Sequence, residues 1–283
     1  MRHRRFLLKS LVVSISLAVF WLTAGGSPAG AAVTVGQIGA ANVPCAGADF
    51  VQKSVSSGTS YRMPEAGTIT SWSHSAASGG GQQIAMKVFR NVSDDVFQIV
   101  GHDGPHPITK PGLLNTFGTS IPVQAGDLLG FDAVSVDACY QTGTPAEAIR
   151  FRLNSLSDGD GALFPLSASG RLNISAILEP SNAVTLGAVT LNKRKGTATI
   201  NLTLPNPGEL TASGKGIKAS SADGAAISKS VAAGPTTLLI KAKGAQRKTL
   251  NRSGKVTLGV AITYTPANGV PGIQSVKVKL IKR

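Results

Sequence analysis

The chain has 283 residues, with 28 Lys and Arg against 14 Asp and Glu, 33 Gly, 15 Pro and two Cys. At ~100 to 200 residues per domain, this length holds one large folded domain or two ordinary ones. Two cysteines exclude a disulfide-stapled miniprotein, and sparse charge with apolar runs along the whole chain excludes disorder throughout.

Residues 1–31 read as a secretory signal peptide. Arg2, Arg4, Arg5 and Lys9 make a basic start, Ser10 to Leu22 is apolar, and Ala29-Gly30-Ala31 offers the small residues of a cleavage site. The apolar run is shorter than the ~20 residues a membrane-spanning helix needs, so the sequence implies a secreted chain with no membrane span after cleavage. Arg4-Arg5-Phe6-Leu7-Leu8-Lys9 also resembles a twin-arginine signal, with His3 where Ser or Thr is preferred. The general secretory and twin-arginine routes both stay open. No Cys follows the cleavage site to take a lipid, and Lys277 to Arg283 is not an apolar anchor tail. In an oxidising exterior the two thiols, Cys45 and Cys139, are expected to form a disulfide, and neither sits in the sequence context of a nucleophile.

Strands are expected at Gln82 to Val92, Phe97 to Gly101, Ile121 to Ala133, Ala148 to Asn154 and Arg171 to Glu179. Turn clusters separate them: Gly79-Gly80-Gly81, Asp103-Gly104-Pro105 and Lys110-Pro111-Gly112. No amphipathic stretch of helical period exceeds about two turns. Residues 32–180 therefore read as a jelly-roll-like β-sandwich.

At Glu179-Pro180-Ser181-Asn182 the composition changes. The mature chain to that point has eight basic and twelve acidic residues, a net charge of −4, whereas 183–283 has sixteen basic and two acidic, a net of +14. Tyr264 is the only aromatic residue of this second region. Ile200, Leu202 and Leu204 share one strand face, as do Val256, Leu258, Val260, Ile262 and Tyr264, and Val276, Val278 and Leu280. Pro266-Ala267-Asn268-Gly269 supplies the turn before the last strand. About seven strands in ~100 residues predict an immunoglobulin-like β-sandwich over 183–283, without an internal disulfide.

Three segments, Val33 to Gly39, Ile69 to Ser73 and Val123 to Gly130, together with Lys195 to Thr199, Leu204 to Leu210 and Ser213 to Lys218, carry a family resemblance. The chain resembles secreted two-domain β-sandwich proteins of high-GC Gram-positive bacteria that end in an Ig-like module. The resemblance covers nearly all of the mature chain and implies fold and compartment. It implies no reaction and transfers no catalytic residue.

Motifs for catalysis are missing: there is no G-x-S-x-G elbow, S-x-x-K or H-E-x-x-H. The expectation is a protein that is not an enzyme, with no catalytic residue, no cofactor and no metal ligand. His102-Asp103-Gly104-Pro105-His106 reads as an exposed loop rather than a metal site. Asp158-Gly159-Asp160-Gly161 has closely spaced carboxylates, so a structural calcium remains an alternative to a plain turn, although Leu156 and Ser167 stand at EF-hand ligand positions. Gly214-Lys215-Gly216-Ile217-Lys218-Ala219 mimics a phosphate loop but lacks the helix that must follow it.

Two features remain as binding candidates. Trp72, the single Trp after cleavage, falls with His74 on the strand face opposite Ile69, which makes it a carbohydrate platform if Ile69 is core; a bulge would reverse the parity and bury it. The stronger feature is basic. Lys193, Arg194 and Lys195 sit in a hairpin turn, Lys241, Lys243, Arg247, Lys248, Arg252 and Lys255 cluster around another, and Lys277, Lys279, Lys282 and Arg283 finish the chain. Such a field draws in polyanions. Export and the scarcity of aromatics argue against nucleic acid, leaving an anionic cell-wall polymer or glycan as partner. The alternatives are a carbohydrate-binding module on the first sandwich and a glycan-active enzyme. Oligomeric state is not readable.

The small residues Ala29 and Ala31 place the start of the secreted form at about Ala32. N-terminal sequencing of exported material checks this, and a membrane-bound product retaining Met1 to Leu22 would contradict it.

Overall fold

The computed structural model describes residues 32–221 and 228–283; the signal peptide expected over 1–31 lies outside the described residues. Among these residues the structure is all-β apart from one short helix. Eleven strands come first: β1 (Val33–Gln37), β2 (Val43–Gln52), β3 (Gly67–Ser75), β4 (Gln83–Ser93), β5 (Val96–Pro107), β6 (Leu114–Val123), β7 (Leu128–Thr142), β8 (Ala148–Leu153), β9 (Gly161–Leu163), β10 (Leu166–Leu172) and β11 (Ile174–Pro180). There follow β12 (Thr185–Asn192), β13 (Thr197–Leu204), β14 (Gly208–Ser213), β15 (Ile217–Ser221), β16 (Ser228–Val231), β17 (Gly234–Ala242), helix α1 (Gly244–Ser253), β18 (Lys255–Pro266) and β19 (Gly272–Ile281).

Two sheets, β1-β11-β3-β6 and β10-β8-β2-β7-β4-β5-β9, use strands of the first group only. Their inner faces share one core: Val35, Ile69, Trp72, Ile121 and Leu178 from the smaller sheet meet Phe50, Met86, Val88, Phe131 and Ile149 from the larger. Alternation sends Val51, Phe89, Phe97 and Ile99 to the other face of the larger sheet, where Phe164 covers them in a small second cluster. Two further sheets, β12-β13-β17-β15 and β16-β14-β18-β19, enclose a separate core. Ile200, Leu202, Leu204, Leu258, Val260, Ile262, Tyr264, Val278 and Leu280 all lie in it, as their spacing requires.

Several expected elements are divided or moved. The run Ile121 to Ala133 is the end of β6 and the start of β7, joined by a tight turn in which Asp127 Oδ2 accepts the Gln124 N–H at 2.8 Å. The run Arg171 to Glu179 breaks at Asn173, whose side chain donates to the carbonyls of Ser75 and Ala138. His102 to His106 lies inside β5 rather than in a loop, because β4 pairs with it throughout and a register shift absorbs Gly104-Pro105. The basic stretch after β17 is not a hairpin turn but helix α1, which ends on Gly254 at a φ of 69° with its N–H bonded to Leu250 O.

The two sheet pairs meet at a seam whose hydrogen bonds are made largely by neutral groups. Asn206, almost fully buried, accepts the Ala66 N–H on Oδ1 at 2.6 Å and donates Nδ2 to the carbonyls of Ala66 and Ser181. Tyr264 donates its hydroxyl to Asn206 O at 2.6 Å, and Asn268 Nδ2 donates to Glu65 Oε1.

Cys45 in β2 and Cys139 in β7 form the expected disulfide, with Cα atoms 5.8 Å apart and a sequence separation of 94. Closing a loop of that length restricts the unfolded chain. Replacing both cysteines by Ser should lower stability by about 2 to 5 kcal/mol in urea unfolding of the mature chain. Alkylation of the native, unreduced protein should label no thiol; labelling of both would rule the bridge out.

Candidate functional site

Four basic segments that are distant in sequence converge at one end of the second sheet pair. A cleft of about 550 Å³ is walled by Lys195 from the β12–β13 turn, Lys218 from β15, Lys241 from the end of β17, Lys243 and Arg247 from the entry of α1, and Lys282 after β19. No acidic residue among the described ones lines it.

Local chemistry builds each wall. Asn192 closes the β12–β13 turn by accepting the Lys195 N–H on its side chain and the Gly196 N–H on its carbonyl. Gly196 has a φ of +65°, and a Cβ there would stand 3.0 Å from Leu250 Cδ2 and 3.2 Å from Lys282 Cβ, so the turn approaches the helix only because this residue is Gly. Gly216, with a φ of +73°, does the same for the turn before β15: its Cβ would meet Gln246 Cγ at 2.4 Å, and its carbonyl takes the Lys243 N–H at 2.7 Å. Leu250 anchors the helix in the core. The C-terminus is strapped down by Lys282 N–H to Gly254 O and Arg283 N–H to Lys193 O.

Among the described residues no ion pair neutralises the charges of this cleft. All seven ion pairs among the described residues lie between residues 49 and 171. Lys218 and Lys241 stand directly opposite one another on neighbouring strands, an arrangement of like charges that destabilises a sheet. Lys282 donates to Asn251 Oδ1 at 2.8 Å. Of the basic residues singled out in the sequence, Lys195, Lys241, Lys243, Arg247 and Lys282 line the cleft, whereas Lys193, Arg194, Lys248, Arg252, Lys255, Lys277, Lys279 and Arg283 lie outside its lining. Lys218 was named in the sequence only within the phosphate-loop mimic and not with the basic clusters; its register opposite Lys241 is what brings it in.

The carbohydrate platform at Trp72 is corrected by its burial. Ile69 and Trp72 are both in the core, at 0% and 1% exposure. Between Ile69 and Ser71 the register of β3 slips against both β6 and β11, so Thr70 is a bulge that turns Trp72 inward. Its indole N–H donates to Asp103 Oδ2 at 2.7 Å, His106 Nε2 reaches the same oxygen at 3.0 Å, and Phe117 packs on the ring at 4.5 Å. His74 follows it inside, with Nδ1–H donated to Asn173 O at 2.7 Å; burial pushes its pKa below the usual value and keeps it neutral.

The other polar groups are structural pins. Lys87 and Asp49 are buried together, and the three donors of Lys87 find Asp49 Oδ1, Ser155 Oγ and Leu156 O, each at 2.7 Å. Burial pushes the Asp49 carboxyl up, against the hydrogen bonds from Lys87 and Leu156. Among the described residues no group of three or more His, Cys, Asp or Glu is placed to hold a metal ion. His102 is bonded to Asp158, and Asp160 Oδ2 caps the Ser157 N–H in the turn before β9. Gly214 to Ala219 leads into β15, not into a helix. A larger cleft of about 680 Å³ lies at the seam, with Glu179 its only ionisable lining residue. No helix among the described residues is long and apolar enough to cross a membrane.

No protein-family model matches the chain, and a search of curated proteins finds no match. The geometry of the cleft therefore carries the functional argument alone.

In a chain beginning at Ala32, Trp72 is the single tryptophan, so its fluorescence reports this position directly. Emission should be blue-shifted in the native state and insensitive to iodide, moving red only on unfolding. Quenching by iodide, or a spectral change on adding glycans, would contradict the buried placement.

Proposed function

We propose that the protein is a secreted, non-enzymatic, two-domain binding protein. Its basic domain, residues 183–283, associates with anionic cell-envelope polymer and displays the domain formed by residues 32–180. The observation that carries this reading is the acid-free cleft lined by Lys195, Lys218, Lys241, Lys243, Arg247 and Lys282. Six cations facing one concave volume make a positive potential that attracts a polyanion.

Separate cores and sheets support the domain division at 180–183. In the first domain the chain passes repeatedly between its two sheets, which supports a jelly-roll-like class; the two four-stranded sheets of the second support an Ig-like one. The orientation also suits display. Strand β13 begins at Thr197 on the cleft and ends at Leu204 beside Asn206 in the seam. At ~3.3 Å per residue the two ends stand roughly 23 Å apart, so a polymer in the cleft leaves the first domain clear.

The mature chain should be retained on isolated cell walls at low salt and released as salt rises, because exposed charges are screened within ~8 Å at 0.15 M and ~3 Å at 1 M. Changing Lys193, Arg194 and Lys195 to Ser should lower the salt concentration of release. Retention that ignores salt, or no retention at low salt, would refute the reading.

A further inference from the structure

Resting on that reading, we propose that the cleft is a discrete site for a phosphate-rich anion, a segment carrying several phosphate groups close together, and not merely the centre of a diffuse positive field. Four observations point to this ligand class.

The first is charge density. Six cationic side chains border about 550 Å³ with no carboxylate among them. Neutralising them takes several negative charges packed into a small volume. Consecutive phosphates do that, whereas carboxylates on a glycan stand a sugar unit or more apart.

The second is the donor set, five Lys and one Arg. An ammonium is a compact charge with three donors, suited to a tetrahedral oxyanion approached from several walls. Lys binds phosphate as such a point charge, without the planar fork that Arg presents to carboxylate and phosphate alike.

The third is the opposition of Lys218 and Lys241 on adjacent strands with no acidic residue in the cleft lining. The chain tolerates this repulsion when empty, and an anion between the two ammonium groups removes it.

The fourth is the first turn of α1. Lys243 at the N-cap makes no side-chain cap and the turn holds no acidic residue, so its backbone N–H groups add to the positive end of the cleft. The close approaches at Gly196 and Gly216 hold turns and helix together before any ligand arrives.

The test uses the mature chain and two small probes, inorganic tripolyphosphate and citrate, followed by titration calorimetry at fixed ionic strength. Tripolyphosphate should bind with one-to-one stoichiometry and at least about tenfold more tightly than citrate. Two double variants remove equal charge: Lys218→Gln with Lys241→Gln in the cleft, and Lys277→Gln with Lys279→Gln on the exposed face of β19. The cleft pair should lose at least about tenfold in tripolyphosphate affinity and the β19 pair no more than about twofold. Thermal unfolding of each variant verifies folding. A parallel arm compares wall retention before and after removal of wall phosphate with hydrofluoric acid, which should abolish most of it.

Equal losses in both variants, or equal binding of citrate, would overturn the phosphate site while leaving the envelope reading intact. Undiminished retention on phosphate-free walls would do the same. Absence of both probe binding and wall retention would overturn the two together.

Discussion

The joint between the two sheet pairs rests on one buried amide. Asn206 gives its side-chain carbonyl to the Ala66 N–H and its amide to the Ala66 and Ser181 carbonyls, much as a neighbouring strand would. A buried amide left unpaired is costly, and one fully paired fixes a single geometry. The other cross-seam hydrogen bonds use backbone, Tyr264, Asn268 and the Glu65 carboxylate, and no cation takes part in them. Regions with net charges of opposite sign are thus joined without using those charges. The basic end of the second sheet pair is left facing away from the acidic region.

The two regions handle charge in opposite ways. In the first, cations are matched locally: Lys87 is buried against Asp49, Arg90 forks onto Asp127, and Arg171 holds Glu147. These pairs tie turns to sheets, and the cost of burying Lys87 is offset because every donor finds an acceptor. In the second, two acidic residues among sixteen basic ones cannot serve that purpose. Its sheets pack through aliphatic alternation without ion pairs among the described residues, which frees the outward positions for Lys.

That alternation is why so much of the second region was legible from sequence. A face such as Leu258, Val260, Ile262 and Tyr264 follows the strand period without interruption, and it is buried as a unit. The disulfide was legible by elimination. Legibility failed where the backbone leaves its period. One bulged residue, Thr70, reverses the side on which Trp72 falls, and nothing in Ile69-Thr70-Ser71-Trp72 announces it. Helix α1 buries only Leu250, so it shows no apolar stripe; Gly244 and Gly254 framing the segment were the available hint. The cleft was half legible, since clusters are visible in sequence but their convergence depends on register.

Strands β13, β18 and β19 all run between the seam and the end of the molecule that bears the cleft. If the cleft is anchored while the first sheet pair is pulled, tension passes along the strand axes. The ladder bonds between β18 and β19, which extend from Lys255↔Ile281 to Tyr264↔Gly272, are then sheared together instead of unzipped in turn. Under such a load the bonds of this ladder would share the force, so the direction in which the second sheet pair would be pulled follows from where the cleft stands.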